Sequence, residues 1–216
     1  MVTIYKPEIE AINAIVPKKK KHRLDLSYVQ VIFEYVKKSK KQNVTIVATD
    51  GMRMLVIQKS IEKVFVKDKK DKAIVVSPKM LSVLFDENKC KSTDYGIRTT
   101  KASIPIEAFE KMASLIGKPL DYPDWKKIDK DSNVKKHKNV FSFENLHQDV
   151  RPLLKAHFKK ECGFNISFLN DFSKFVNKIH ADKVDFFQKD IRSMAYTTIT
   201  HDWATYKFYL MPVAVS

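Results

Sequence analysis

One stretch limits the possible folds of this chain more than any other: "NVTIVATDGMRMLVIQKS", residues 43–60. Two runs of β-branched and aliphatic residues flank Asp50-Gly51, a dipeptide suited to the positive backbone angles of a tight turn between antiparallel strands. The sequence predicts strands at 43–50 and 54–60 joined as a hairpin. Arg53 stands alone just past the turn, a charged side chain inside an otherwise apolar strand start.

The same pattern recurs along the chain. "LSYVQVIFEYV" (26–36), "AIVV" (73–76), "YGIRTT" (95–100) and "KASIPI" (101–106) read as strands. "KVDFFQKD", "SMAYTTITHD" and "YKFYLMPVAV" read as a three-stranded meander toward the end. Helical spacing appears in "KPEIEAINAIV", where Ile9, Ile12 and Val16 share a face and Pro7 suits a first turn. Ser77-Pro78 opens a short helix, "KMLSVLFDE". "NISFLNDFSKFVNKI" (165–179) is the cleanest helix, with Asn165 as N-cap and Ile166, Leu169, Phe172, Val176 and Ile179 as its apolar stripe. A further helix interrupted at Pro152 is expected over 144–160. Segment 118–139, rich in charge and poor in apolar residues, reads as a boundary. Helices followed by strands, twice over, give an α+β class.

The 216 residues suffice for one large domain or two small ones. No apolar run is long enough to span a bilayer, and the first residues lack a secretory pattern. Cys90 and Cys162 have no C-x-x-C spacing and read as reduced thiols of a cytoplasmic protein. Against 25 Asp+Glu stand 40 Lys+Arg, a formal charge of +15. That charge fits either a polyanionic partner or a lysine-rich solvated surface. The basic runs at 18–21, 37–41, 67–72 and 135–138 fall mostly in expected loops. Lys174 and Lys178, one turn apart on a regular helix, could instead present charge in register to a phosphate backbone.

Catalytic patterns are lacking. With four glycines in all there is no phosphate-binding loop, the six histidines have no metal spacing, and the carboxylates form no obvious acid–base pair. The sequence predicts no enzyme, cofactor or metal. "KFYLMPVAVS" is apolar to its end, which suits either a core edge or a surface that packs against a partner.

Three stretches together resemble one family. "TIVATDGMRML" resembles the "VATDGHRLA" segment of the bacterial replicative sliding clamp, the β subunit of DNA polymerase III. "LDYPDWKKI" resembles the Pro-Asp-aromatic segment closing that clamp's middle domain. The run from "CGFN" to "YLMPVAV" resembles its last domain, including the "VMPMR" terminus. The resemblance implies a DNA-clamp fold with two clamp domains, 1–125 like the middle domain and 126–216 like a shortened last domain, each with helices packed on antiparallel sheet. It further implies a processivity factor that encircles double-stranded DNA without sequence preference, as a homotrimer ring in a bacterial or phage-infected cell. DNA polymerase and clamp loader would dock through short peptide motifs in a groove. Carried over, that groove comprises Thr49, Gly51, Met52, Arg53, Met54, Pro123, Lys127, Ile128, Met211, Pro212 and Val213, while Lys174 and Lys178 face DNA. Met52 stands where the family usually has His, and Ala214 where Arg is common. The alternative is a clamp-fold interaction module that binds replication or transcription proteins without encircling DNA.

Overall fold

The computed structural model describes residues 1–16, 25–36, 41–61, 71–116, 122–132, 138–144, 162–181, 183–190 and 192–214. The chain opens with β1 (Val2–Tyr5) and α1 (Lys6–Ile15). A short 3-10 turn, Asp25–Ser27, leads to β2 (Val29–Val36), β3 (Lys41–Thr49) and β4 (Arg53–Ile61). Next come β5 (Lys72–Val76), α2 (Pro78–Asn88), β6 (Lys89–Asp94), β7 (Ile97–Ile104) and α3 (Ile106–Ser114). After α4 (Trp125–Ser132) and β8 (Lys138–Glu144) follow β9 (Cys162–Gly163) and α5 (Ile166–Lys178). The chain then runs through β10 (Lys183–Gln188), β11 (Ala195–His201), β12 (Ala204–Leu210) and β13 (Val213–Ala214).

Eight strands form one antiparallel sheet in the order β5-β2-β3-β4-β12-β11-β10-β8. Neighbours in sequence supply most of its ladders. The exception at its centre is β4 against β12, from Arg53 opposite Leu210 to Gln58 opposite Thr205. β1, β7 and β6 make a second sheet, and β13 pairs with β9 as a two-stranded ribbon. The alternation of β4 explains the layers. Leu55 and Ile57 point into a core shared with α1, α2, α3 and α5, whereas Met54 and Val56 face the opposite side. There Trp125 from α4, with Tyr122 and Ile128 beside it, covers the sheet in a smaller cluster. Residues from both halves of the chain contribute to the larger core, from Val2 to Leu210.

Most expected elements are present. Asn165 caps α5, its Oδ1 accepting the Ser167 N–H at 2.9 Å. Its stripe is buried at Leu169, Phe172, Val176 and Ile179, but Ile166 in the first turn is 51% exposed. Ser77 holds the N-cap position of α2 without a side-chain cap bond.

One expectation is corrected. Residues 95–106 are not two strands: β7 is continuous from Ile97 to Ile104, its partners are β6 and β1, and Ile106 begins α3. Pro105 before Ile106 stops the strand and starts the helix, whose Phe109 and Met112 are buried. The charged segment read as a boundary holds α4, because Trp125 and Ile128 fall on the one face that packs on the sheet. The helix expected over 144–160 lies, apart from Glu144 at the end of β8, outside the described residues, as do most of the basic runs. None of the described helices is long and apolar enough to cross a membrane.

Candidate functional site

At the β3–β4 end of the long sheet the turn Asp50-Gly51-Met52 is locked by its own side chains. Asp50 Oδ1 accepts the N–H groups of Met52 and Arg53, both at 2.9 Å. Thr49 Oγ1 accepts the Gly51 N–H at 3.0 Å and donates to the Arg53 carbonyl at 2.7 Å. Gly51 has a φ of 89°, a conformation that favours glycine, and a Cβ there would also crowd Leu26 Cδ1 at 3.3 Å. The chain returns to this turn after β12, where the Met211 N–H donates to the Met52 carbonyl at 2.8 Å.

The third approach is from α4. Asp124 receives the N–H groups of Lys126 and Lys127 at 3.1 and 3.3 Å, capping the helix. Tyr122 donates its hydroxyl to the Val47 carbonyl at 2.9 Å, anchoring the preceding segment on β3. Asp129 accepts from Tyr209 at 2.6 Å and from Lys207 at 2.8 and 2.9 Å, tying α4 to β12. Nearby Tyr196 is pushed above the usual phenol range, by burial first and by the Asp129 charge second.

These three approaches enclose a cleft of about 220 Å³ lined by Leu26, Thr49, Gly51, Met52, Arg53, Met54, Pro123, Ile128, Met194, Tyr209 and Met211. No carboxylate among the described residues lines it, and four of the lining side chains are thioethers. Eight of the eleven residues singled out from the sequence therefore come together. Lys127 is exposed on α4 and is not among the lining residues, nor are Pro212 and Val213; Val213 pairs with Gly163 in the β13–β9 ribbon. Three lining residues escaped sequence reading. Tyr209 sits two residues before Met211, so strand alternation could have found it. Leu26, in the short 3-10 turn, and Met194, just before β11, carry no local signal.

Arg53 borders the cleft, but its guanidinium is engaged beneath it. Nε donates to Asp50 Oδ2 at 3.0 Å, Nη1 to Asp171 Oδ2 at 2.9 Å and Nη2 to the Ala14 carbonyl at 2.7 Å. The cation also stands 4.2 Å from the Phe168 ring centre. It joins the turn to the last turn of α1 and to α5.

The two lysines expected to meet DNA are both exposed on α5 but differ in surroundings. Lys178 forms an ion pair with Glu10 of α1. Lys174 has no partner among the described residues. No group of His, Cys, Asp and Glu among the described residues could hold a metal ion.

No protein-family model matches the sequence, and no curated protein matches it. Solved structures do. The chain is similar to Caulobacter crescentus pol III beta at 14% identity and a TM-score of 0.59, over 99% of this chain and 65% of that one. The Helicobacter pylori beta clamp in complex with diflunisal matches at 15% identity and a TM-score of 0.52, over 95% and 63%. The DNA polymerase III subunit beta from Pseudomonas aeruginosa matches at 14% and 0.52, over 98% and 66%. The chain spans just under two thirds of the length of these proteins. It has the α+β fold of the bacterial β sliding clamp, in strongly diverged form.

Proposed function

We propose that the chain is a DNA sliding clamp, a processivity factor that holds polymerase on double-stranded DNA through peptides docked in the methionine-lined cleft. The observation that carries this reading is the convergence of three separated segments, around Gly51, Pro123 and Met211, on one apolar cleft. Such a cleft suits a short peptide with Leu or aromatic anchors, because thioethers adapt to varied apolar shapes. The charge of +15 supports a polyanionic partner. In this reading residues 1–125 and 126–216 act as two clamp domains, and three chains close a ring of six. The protein catalyses nothing itself and works in the cytoplasm of a bacterial or phage-infected cell.

The alternative is a clamp-fold interaction module that never encircles DNA. The ion pair of Lys178 with Glu10 favours it, since it removes one of two cations from the helix face. Native mass measurement across a concentration series, with retention on nicked and linearised circular DNA, separates the two. A trimer that slides off only linear DNA is expected. A monomer at tens of micromolar, with no topological retention, leaves the interaction module.

The cleft is tested by titrating a fluorescent peptide carrying a Leu-Phe anchor pair. Binding on the order of micromolar is expected, with Met211→Ala weakening it by about 2 kcal/mol. Unchanged affinity in a folded variant assigns Met211 to packing alone.

A further inference from the structure

Four of the seven methionines line a single cleft, and they differ in access. Met52 and Met211 are 41% and 40% exposed at its mouth, whereas Met54 is only 4% exposed. The Met211 N–H bond to the Met52 carbonyl holds the two exposed residues on neighbouring backbone segments. We propose that Met52 and Met211 form an oxidation-sensitive modification site, at which hydroperoxides convert the two thioethers to sulfoxides and close the cleft to apolar peptides. The inference rests on the peptide-docking reading of the cleft.

The chemistry is self-contained. A sulfur lone pair attacks the peroxide oxygen that bears hydrogen, and an S–O bond forms as the O–O bond breaks. The proton on the transferred oxygen passes to the departing alkoxide or hydroxide, leaving a sulfoxide and an alcohol or water. Sulfur loses two electrons and the hydroperoxide gains them. Exposure sets the order of reaction, because the oxidant must reach the sulfur. Nothing beyond the hydroperoxide is needed.

The consequence for binding follows from how the rim is bonded. A sulfoxide carries a strong acceptor oxygen that needs a donor when an apolar anchor covers it. The donors of the turn and of the end of β12 are committed already. The N–H groups of Gly51, Met52 and Arg53 go to Thr49 and Asp50, and the Thr49 hydroxyl goes to the Arg53 carbonyl. The Met211 N–H and the Tyr209 hydroxyl are likewise taken, by the Met52 carbonyl and Asp129. Each sulfoxide must therefore keep its water, which an incoming Leu or Phe would strip away. Met54, buried on the floor, is protected and keeps the cleft's shape.

The experiment treats the full-length protein with limiting hydrogen peroxide and follows each methionine by peptide mass mapping. In parallel the labelled Leu-Phe peptide is titrated. Met52 and Met211 are expected to oxidise well before Met54 and Met112, with affinity falling by about tenfold or more as they do. Methionine sulfoxide reductases A and B, added together, restore it. In a Met52→Leu/Met211→Leu variant, whatever its own affinity, peroxide no longer changes binding. Met1, 66% exposed and outside the cleft, oxidises with Met52 and Met211 and does not bear on binding. Oxidation of Met52 and Met211 no faster than that of Met54 and Met112 overturns the proposal, as does full oxidation of both with unchanged peptide affinity. A reduced protein that never binds the peptide instead rejects the docking reading, and the switch falls with it.

Discussion

Arg53 and Asp171 are 118 residues apart in the chain, and their side chains meet at 2.9 Å. The contact places a charge at the start of β4 against the helix layer instead of the cleft. Arg53 is only 6% exposed, and its three bonded nitrogens reach three different parts of the chain. A lysine has one nitrogen at one point and cannot span them. The arginine after the Asp-Gly turn therefore fixes the hairpin to both inner helices.

Removing it should be costly. Arg53→Met leaves Asp50 without its cation and the Ala14 carbonyl without its donor, and should lower unfolding stability by about 3 kcal/mol. Asp171 is one third exposed, so Asp171→Asn should cost about 1 kcal/mol or less after solvent screening. Urea unfolding of the two variants checks the ratio. Small and equal losses would make Arg53 a surface residue in energetic terms.

A second prediction concerns the buried pair Lys59–Glu8, 2.7 Å apart with Glu8 fully buried. Glu8 also accepts from Tyr206 at 2.8 Å and from the Tyr5 N–H at 2.9 Å, and Lys59 donates to the Thr3 carbonyl at 2.7 Å. Burial pushes the Lys59 ammonium below its ordinary range, against the pull of Glu8. Glu8→Gln or Lys59→Met alone should cost about 3–5 kcal/mol by leaving one charge or donor unmatched. Glu8→Leu/Lys59→Met should lose much less than the sum of the two. Denaturant midpoints for the single and double variants decide it, and strict additivity would contradict the coupling.

His201 supplies a pH dependence. Its ring centre lies 3.6 Å from that of Trp203, and its Nδ1 is buried with no hydrogen-bond partner among the described residues. Burial lowers its pKa, opposed by Asp202 and helped by His180. The unfolded chain then holds the proton more tightly than the folded one. Stability contributed by the neutral ring is present above the unfolded value of about 6.5 and is lost as pH falls through the folded value. Thermal unfolding should show a loss between pH 7 and 5 that His201→Phe reduces. An identical slope in the variant would assign the loss to other groups.

The DNA reading rests on Lys174 more than on Lys178. Reversing Lys178 also breaks the ion pair to Glu10, mixing helix packing with charge. Lys174→Glu changes an exposed position alone and should weaken retention on nicked circles several-fold, with a reduced dependence on salt. Retention equal to wild type at every salt concentration would place this face of α5 away from DNA.

What the sequence by itself determined is local. The β3–β4 hairpin, the α5 helix with its Asn165 cap and the β10–β11–β12 meander are each specified by residues within a few positions of one another. Alternation, turn chemistry and helical spacing are short-range signals, and pairings across short loops follow from them. Glycine at 51 was legible for the same reason, and the family resemblance made most of the cleft legible as well.

Tertiary structure decided the rest. No local pattern says that β4 pairs with β12, so the continuous eight-stranded sheet had to be seen. That pairing puts Tyr209 opposite Met54 and brings Met211 to Met52, which completes the cleft. The direction of Arg53 was equally hidden, because strand parity assigns it a face but not the partners waiting there. Lys178 read as a free cation until α1 brought Glu10 beside it. α4 gave no helical signal in its charge-rich segment, because what holds it is two side chains, Trp125 and Ile128, meeting a sheet surface supplied from elsewhere. Each of these depends on residues far apart in the chain, whose approach is set by the shared core and not by any short stretch of sequence.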